Sequence, residues 1–247
     1  MLNLLKYLRD RFSSKQKEKP KEKEMKDLKG YTPEEMFGKE DPVRSILEDF
    51  DKASKYLAVR IYKQGFMESF KLEELAHRKD LEGTVTVLVL DLPDSVESLL
   101  KTTIENWNKN TDELFALAIE NLKEKFKREI EKTENNFLKL SGEDIFITSE
   151  ALFFARNRGC IGKFGSIFCL PNRDTLVAVP INADLDVEVG LQLMIPFAEE
   201  TFEKSEDMAI TNHIFWHYNG KNELIYTYYG LNRLKYVLPA DLADMVY

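Results

Sequence analysis

Cysteine is nearly missing from this sequence, with two residues in 247. Cys160 and Cys169 cannot build a disulfide framework, so a reducing, cytoplasmic compartment is expected. Glycine (11) and proline (8) are sparse, which excludes collagen-like and linker-like chains. No stretch comes near the roughly 18 consecutive apolar residues that read as a membrane span. Histidine occurs three times, and no HExxH, CxxC, Ser/His/Asp order or paired-carboxylate arrangement accompanies it. No catalytic residue, metal or cofactor is named from the sequence, and binding is expected ahead of catalysis.

Charge, by contrast, is abundant and unevenly placed. The chain carries 35 basic and 43 acidic residues, a net charge of −8. Residues 1–30 hold ten bases and five acids, net +5, which leaves 25 bases and 38 acids in 31–247, net −13. A body that acidic repels phosphate polymers, so no nucleic acid is expected as a partner. Met1, Leu5, Leu8 and Phe12 recur at helical spacing, with Lys6, Arg9 and Arg11 on the remaining surface. This predicts a basic amphipathic helix that docks on a protein partner or lies peripherally on an anionic membrane. Lys6 interrupts the apolar run too early for a secretory leader. Residues 13–30 alternate Lys and Glu around Pro20 and read as a flexible charged tether.

Residues 31–247 read as a single α+β domain: a mixed, largely antiparallel sheet with helices packed on it, 31–82 forming a helical and hairpin subregion. Thr32-Pro33-Glu34-Glu35 and Asp41-Pro42 are helix starts. Leu57 to Lys63 reads as a strand that turns at Gln64-Gly65 into a hairpin. Thr84 to Leu92 is the strongest strand and, apolar on both faces in its second half, belongs in the middle of a sheet. Asp94-Ser95 opens a helix reaching Trp107, and Thr111 a long one carrying Leu114, Phe115, Ala118, Ile119, Leu122 and Phe126. Residues 127–136 are expected to project or fray. Ile145 to Thr148 and Leu152 to Arg156 read as strands, Ser166 to Leu170 as a short helix and Thr175 to Ile181 as a buried strand. The helix after Asp184 or Asp186, with Val187, Leu191, Met194 and Ile195 inward, is expected to kink or split at Pro196. Asn219-Gly220 between apolar runs is the best hairpin signal.

Among chemical signals, the loop Gly159 to Ser166 is the best small-molecule candidate. Gly162, Lys163, Gly165 and Ser166, with Arg156 and Arg173 adding charge, would suit a phosphate, nucleotide or carboxylate. It is not a Walker loop: Asn157 stands in the first glycine's place and Phe164 follows the lysine. His213 and His217 on a strand would stand roughly 13 Å apart, too far to share an ion. Asn182, Asp184, Asp186 and Glu188 alternate as in a calcium loop, but Val187 occupies its glycine position, and helix capping explains them equally well.

Several short motifs resemble the YtpQ-like proteins, an uncharacterised bacterial family. They are Leu90-Asp91-Leu92-Pro93-Asp94-Ser95, Ile104-Glu105-Asn106-Trp107, Ala118-Ile119-Glu120-Asn121-Leu122, and Arg173-Asp174 before Leu176-Val177-Ala178-Val179-Pro180. The likeness spans about residues 80–225 and implies a cytoplasmic bacterial domain without an assigned reaction. It singles out Asp91, Trp107, Asn121, Arg173 and Asp174. Their physical reading is architectural: Trp107 as a core anchor, Asn121 bonded to a neighbouring loop, Arg173 and Asp174 as an ion pair pinning a turn. The expected function is a cytoplasmic interaction domain with an acidic surface; the alternative is a small-anion binder or enzyme at Gly159–Ser166.

Overall fold

Strand β1 (Leu57–Lys63) is buried at every position but its last, and it runs antiparallel to β3 (Thr84–Asp91) in full register from Leu57↔Leu90 to Lys63↔Thr84. The computed structural model describes residues 42–67, 71–230 and 233–247. The N-terminal amphipathic segment, its tether and the start at Thr32 lie outside them. On its other side β3 receives β2 (His77–Arg78) and β4 (Val96–Ser98), which completes a four-stranded sheet. The predicted hairpin after Gln64 is replaced by a short helix, and β1 finds its partner beyond it. The helices are α1 (Pro42–Leu47), α2 (Phe50–Ala53), α3 (Gln64–Met67), α4 (Lys101–Trp107) and α5 (Thr111–Lys125).

Helix α4 starts later than Asp94-Ser95 suggests, because Val96 to Ser98 pair with the end of β3 as a strand. Asn110 caps α5, its side chain accepting from the amides of Asp112 and Glu113. Leu114, Phe115, Ala118 and Leu122 then pack the buried face against Val59, Val87 and Leu90. Trp107 does anchor the core: its indole donates to the carbonyl of Leu47 at 2.8 Å and its ring tilts against Phe50.

The second sheet runs β11–β10–β9–β7–β8–β6–β5, antiparallel throughout. Its strands are β5 (Glu129–Lys132), β6 (Leu138–Ser141), β7 (Ser166–Asn172), β8 (Thr175–Pro180), β9 (Ile214–Tyr218), β10 (Lys221–Gly230) and β11 (Arg233–Val237). Helices α6 (Asp184–Lys204) and α7 (Ala240–Val246) pack on it. The α+β class and largely antiparallel pairing hold, with strands divided between two sheets. Asn219 (φ 48°) and Gly220 (φ 77°) make the β9–β10 turn with both central residues left-handed, as a type I′ hairpin requires.

Four local expectations are corrected. Ser166 to Leu170 is strand β7: Ile167 and Cys169 enter the core under α6, while Phe168 and Leu170 enter another, so both faces are apolar and the period is two. Ile147–Arg156 is a 3₁₀ segment with a kink at Phe153 and forms no strand. Residues 129–132 do not fray; they pair with β6 as an exposed edge strand. Pro196 leaves α6 unbroken because it sits on the exposed side, where water can take the carbonyl of Gln192.

The 3₁₀ segment joins the sheets. Ser149 donates to the carbonyl of Val59 in β1 at 2.7 Å, and Phe154 stacks on Phe168 of β7 at 5.1 Å. One apolar cluster thus holds Ile61 and Leu81 beside Phe168, Leu170 and Phe215.

Candidate interaction surface

The loop singled out for anion binding is closed on itself. Amides of Cys160, Ile161, Gly162, Phe164 and Gly165 donate to Asn157, Arg158, Gly165, Ile181 and Gly162 carbonyls, and that of Lys163 to the Asn182 side chain. An anion would therefore have to displace bonds already made. Gly165 (φ 82°) lets the backbone pass against β9, where a Cβ would fall 2.1 Å from the carbonyl of His217; at Gly162 a Cβ would meet the Ile181 backbone at 2.4 Å. Ser166 is buried and donates to the Cys160 carbonyl.

Its cations point to different places. Arg156 donates to the carbonyls of Lys123 (2.8 Å) and Phe126 (2.7 Å) at the end of α5, and to Glu150 at 2.8 Å. Lys163 is exposed, its ammonium 4.5 Å over the ring of Phe164. Arg173 lies over Tyr62 at 5.3 Å, the same ring that carries Arg60 at 5.5 Å. Burial, then the neighbouring Arg60 charge, lower the Arg173 pKa. Asp174 acts on Arg173 through its charge, which opposes that lowering, but no salt bridge joins the two among the described residues, and the Asp174 amide donates to the Asn172 side chain.

Asp91 and Asn121 line a cleft of about 420 Å³ together with residues 55–58, Leu122, Glu124 and Lys125. Asn121 bonds a neighbouring loop as expected, donating to the carbonyls of Ser54 (2.8 Å) and Leu57 (2.9 Å). Asp91 pairs with Lys125. Both Asn121 donors and the Asp91 carboxylate are thus occupied by the protein.

Neither thiol is poised for chemistry. Burial pushes Cys160 up to about 11 and raises Cys169 as well. His217 is buried, its Nδ1 2.7 Å from the Asn222 side-chain oxygen, while Asn222 donates to Ala151. Among the described residues no group of three or more His, Cys, Asp or Glu is arranged to hold a metal ion. At the start of α6 the Asp186 carboxylate accepts from the amides of Asn182 and Ala183, as helix capping requires.

What remains open is the outer face of α6. Val187, Leu191, Met194, Ile195 and Ala198 are buried against the sheet, as the sequence predicts. Leu185, Val189 and Leu193, which the sequence reading passed over, are 63%, 45% and 43% exposed. At spacings of four they lie one above another on the solvent side, and exposed Pro196 extends the row. Exposed Glu188 stands beside this row, and Glu199, Glu200 and Glu203 lie at its C-terminal end. Over its length α6 carries six acids against one base, Lys204, net −5. Tyr229 of β10 donates to Glu199 at 2.9 Å, so the β10–β11 ribbon flanks the helix. That ribbon exposes Tyr226, Tyr228 and Val237 on its other face. The signal was present in the sequence: α6 has more aliphatics than one buried stripe can use.

Compared with known proteins, the chain matches no family model, no curated protein and no solved structure. None of the three comparisons identifies the YtpQ-like family. No helix among the described residues is long and apolar enough to cross a membrane.

Proposed function

We propose that this protein is a cytoplasmic interaction domain whose outer α6 face binds a cationic amphipathic helix of a partner protein. The observation that carries this reading is the row Leu185, Val189, Leu193 and Pro196, exposed among acids. Isolated surface aliphatics are ordinary, but a row at helical spacing offers a partner helix a continuous strip. Acids beside and beyond it select positive flanks and speed encounter, while disfavouring nucleic acid and anionic bilayers. Helix-on-helix docking of this kind is read through anchors at spacings of three and four. Committed loop amides and high thiol pKa values weigh against chemistry at Gly159–Ser166.

The test is a methyl NMR titration, with a synthetic Leu/Lys amphipathic peptide, of the full chain carrying Leu5→Glu and Leu8→Glu, which strip the basic N-terminal segment of apolar anchors so that it cannot compete for the face. Shifts centred on Leu185, Val189 and Leu193 are expected. Shifts spread over the acidic surface, or no shifts, would refute the assignment.

A further inference from the structure

We infer that the resident occupant of this α6 face is the chain's own residues 1–12. This rests on the reading of α6 as a docking face and goes further by naming what covers it in the free protein.

Three observations converge. The first is spacing. Met1, Leu5, Leu8 and Phe12 recur at intervals of four, three and four, while the exposed row on α6 recurs at four, four and three. Each set makes a strip about three turns long, roughly 16 Å, so the two match in length. The second is charge: residues 1–12 carry three bases against one acid, net +2, and α6 carries −5. A second copy's α6 would instead bring like charge against like, which an interface disfavours. The third is reach. Residues 13–41 separate the segment from the first described helix, α1. A span of roughly 29 residues extends to about 100 Å, whereas a body of about 200 residues is roughly 45 Å across.

Connection also resolves the affinity problem. A twelve-residue helix with four anchors binds weakly when free, because isolated helices that short are marginal in water. Joined to the domain through residues 13–41, the same segment works at an effective concentration in the millimolar range, enough to keep even a weak contact mostly closed. A partner's cationic helix must then displace residues 1–12, and the segment acts as a built-in competitor that sets the threshold for binding.

The experiment uses the full chain with a carbodiimide that joins amines to adjacent carboxylates, read by mass spectrometry on the monomeric fraction. The expected result is that Lys6 couples to Glu188 and to Glu199 or Glu200, and that Leu5→Glu with Leu8→Glu lowers this coupling at least tenfold. Coupling of Lys6 spread over the acidic body, or found only between two copies, would overturn the inference. A second arm adds a peptide of residues 1–12 to the Leu5→Glu, Leu8→Glu chain and follows the Val189 and Leu193 methyl signals. Shifts support the inference. Silence from this peptide alongside a response to the Leu/Lys peptide overturns it while leaving the α6 docking reading intact; silence from both overturns the two together.

Discussion

Arg128 donates from Nε to the carboxylate of Glu150 at 2.8 Å, and the two side chains are 2% and 0% exposed. Glu150 also accepts from Arg156 and Asn157, and Arg128 pairs with Asp144. The network ties the end of α5 to the 3₁₀ segment that joins the sheets. Burial works against its charges, but removing one partner strands the others without solvent. Glu150→Ala is expected to cost about 3–5 kcal/mol, read as a lower urea midpoint. An unchanged midpoint would show that the network carries no stability.

Asn121 holds α5 to the entry of β1 through two carbonyls, those of Ser54 and Leu57. Asn121→Leu keeps comparable bulk, takes the side-chain donor from the Leu57 carbonyl in a half-buried place and leaves the Ser54 carbonyl with only the Leu57 amide. A loss of about 1–3 kcal/mol is expected, with faster amide exchange at the start of β1. Stability equal to the parent would contradict the assigned role.

Arg60 presents the opposite case. Its Nε is buried and makes no hydrogen bond among the described residues, and its charge lowers the pKa of Arg173. Arg60→Met keeps length and apolar contact over Tyr62 while relieving that repulsion. Thermal unfolding is expected to move up by several degrees, equivalent to about 1 kcal/mol. A fall of similar size would mean that the guanidinium is better satisfied than its geometry indicates.

His217 gives the fold an acid-side dependence. Burial lowers its pKa, against the opposing hydrogen bond to Asn222. Below the unfolded value of about 6.5, the unfolded chain therefore takes up the proton more readily than the folded one. Stability is fully present above that pH and lost as pH falls towards the lower folded pKa. His217→Gln should flatten the stability profile below about pH 6.5; an unchanged slope would place the dependence elsewhere.

Legibility from sequence followed the number of environments each residue meets. Thr84 to Asp91 and the Asn219-Gly220 turn were readable because apolar runs and turn chemistry are local. β7 was misread as a helix because a strand buried on both faces loses its alternation, and periodicity cannot then separate the two. The 3₁₀ segment was misread because Ser149, Glu150 and Arg156 are placed by partners in other elements. Grouping Arg156, Lys163 and Arg173 by sequence proximity failed similarly, since α5, the Phe164 ring and Tyr62 draw their side chains apart. Leu185, Val189 and Leu193 were visible but unclaimed: a period finds the buried stripe and says nothing of aliphatics left over.

The most direct test of the α6 surface is the affinity of the Leu/Lys peptide for the Leu5→Glu, Leu8→Glu chain, with and without Val189→Ser and Leu193→Ser. Both sites are exposed, so folding is preserved, and serine removes apolar area without changing charge. The account predicts a loss of about 2 kcal/mol, roughly thirtyfold in Kd, persisting at high salt, where electrostatic attraction is screened. An affinity indifferent to the serine substitutions and abolished by salt would contradict it, leaving only a general attraction between an acidic body and a basic peptide.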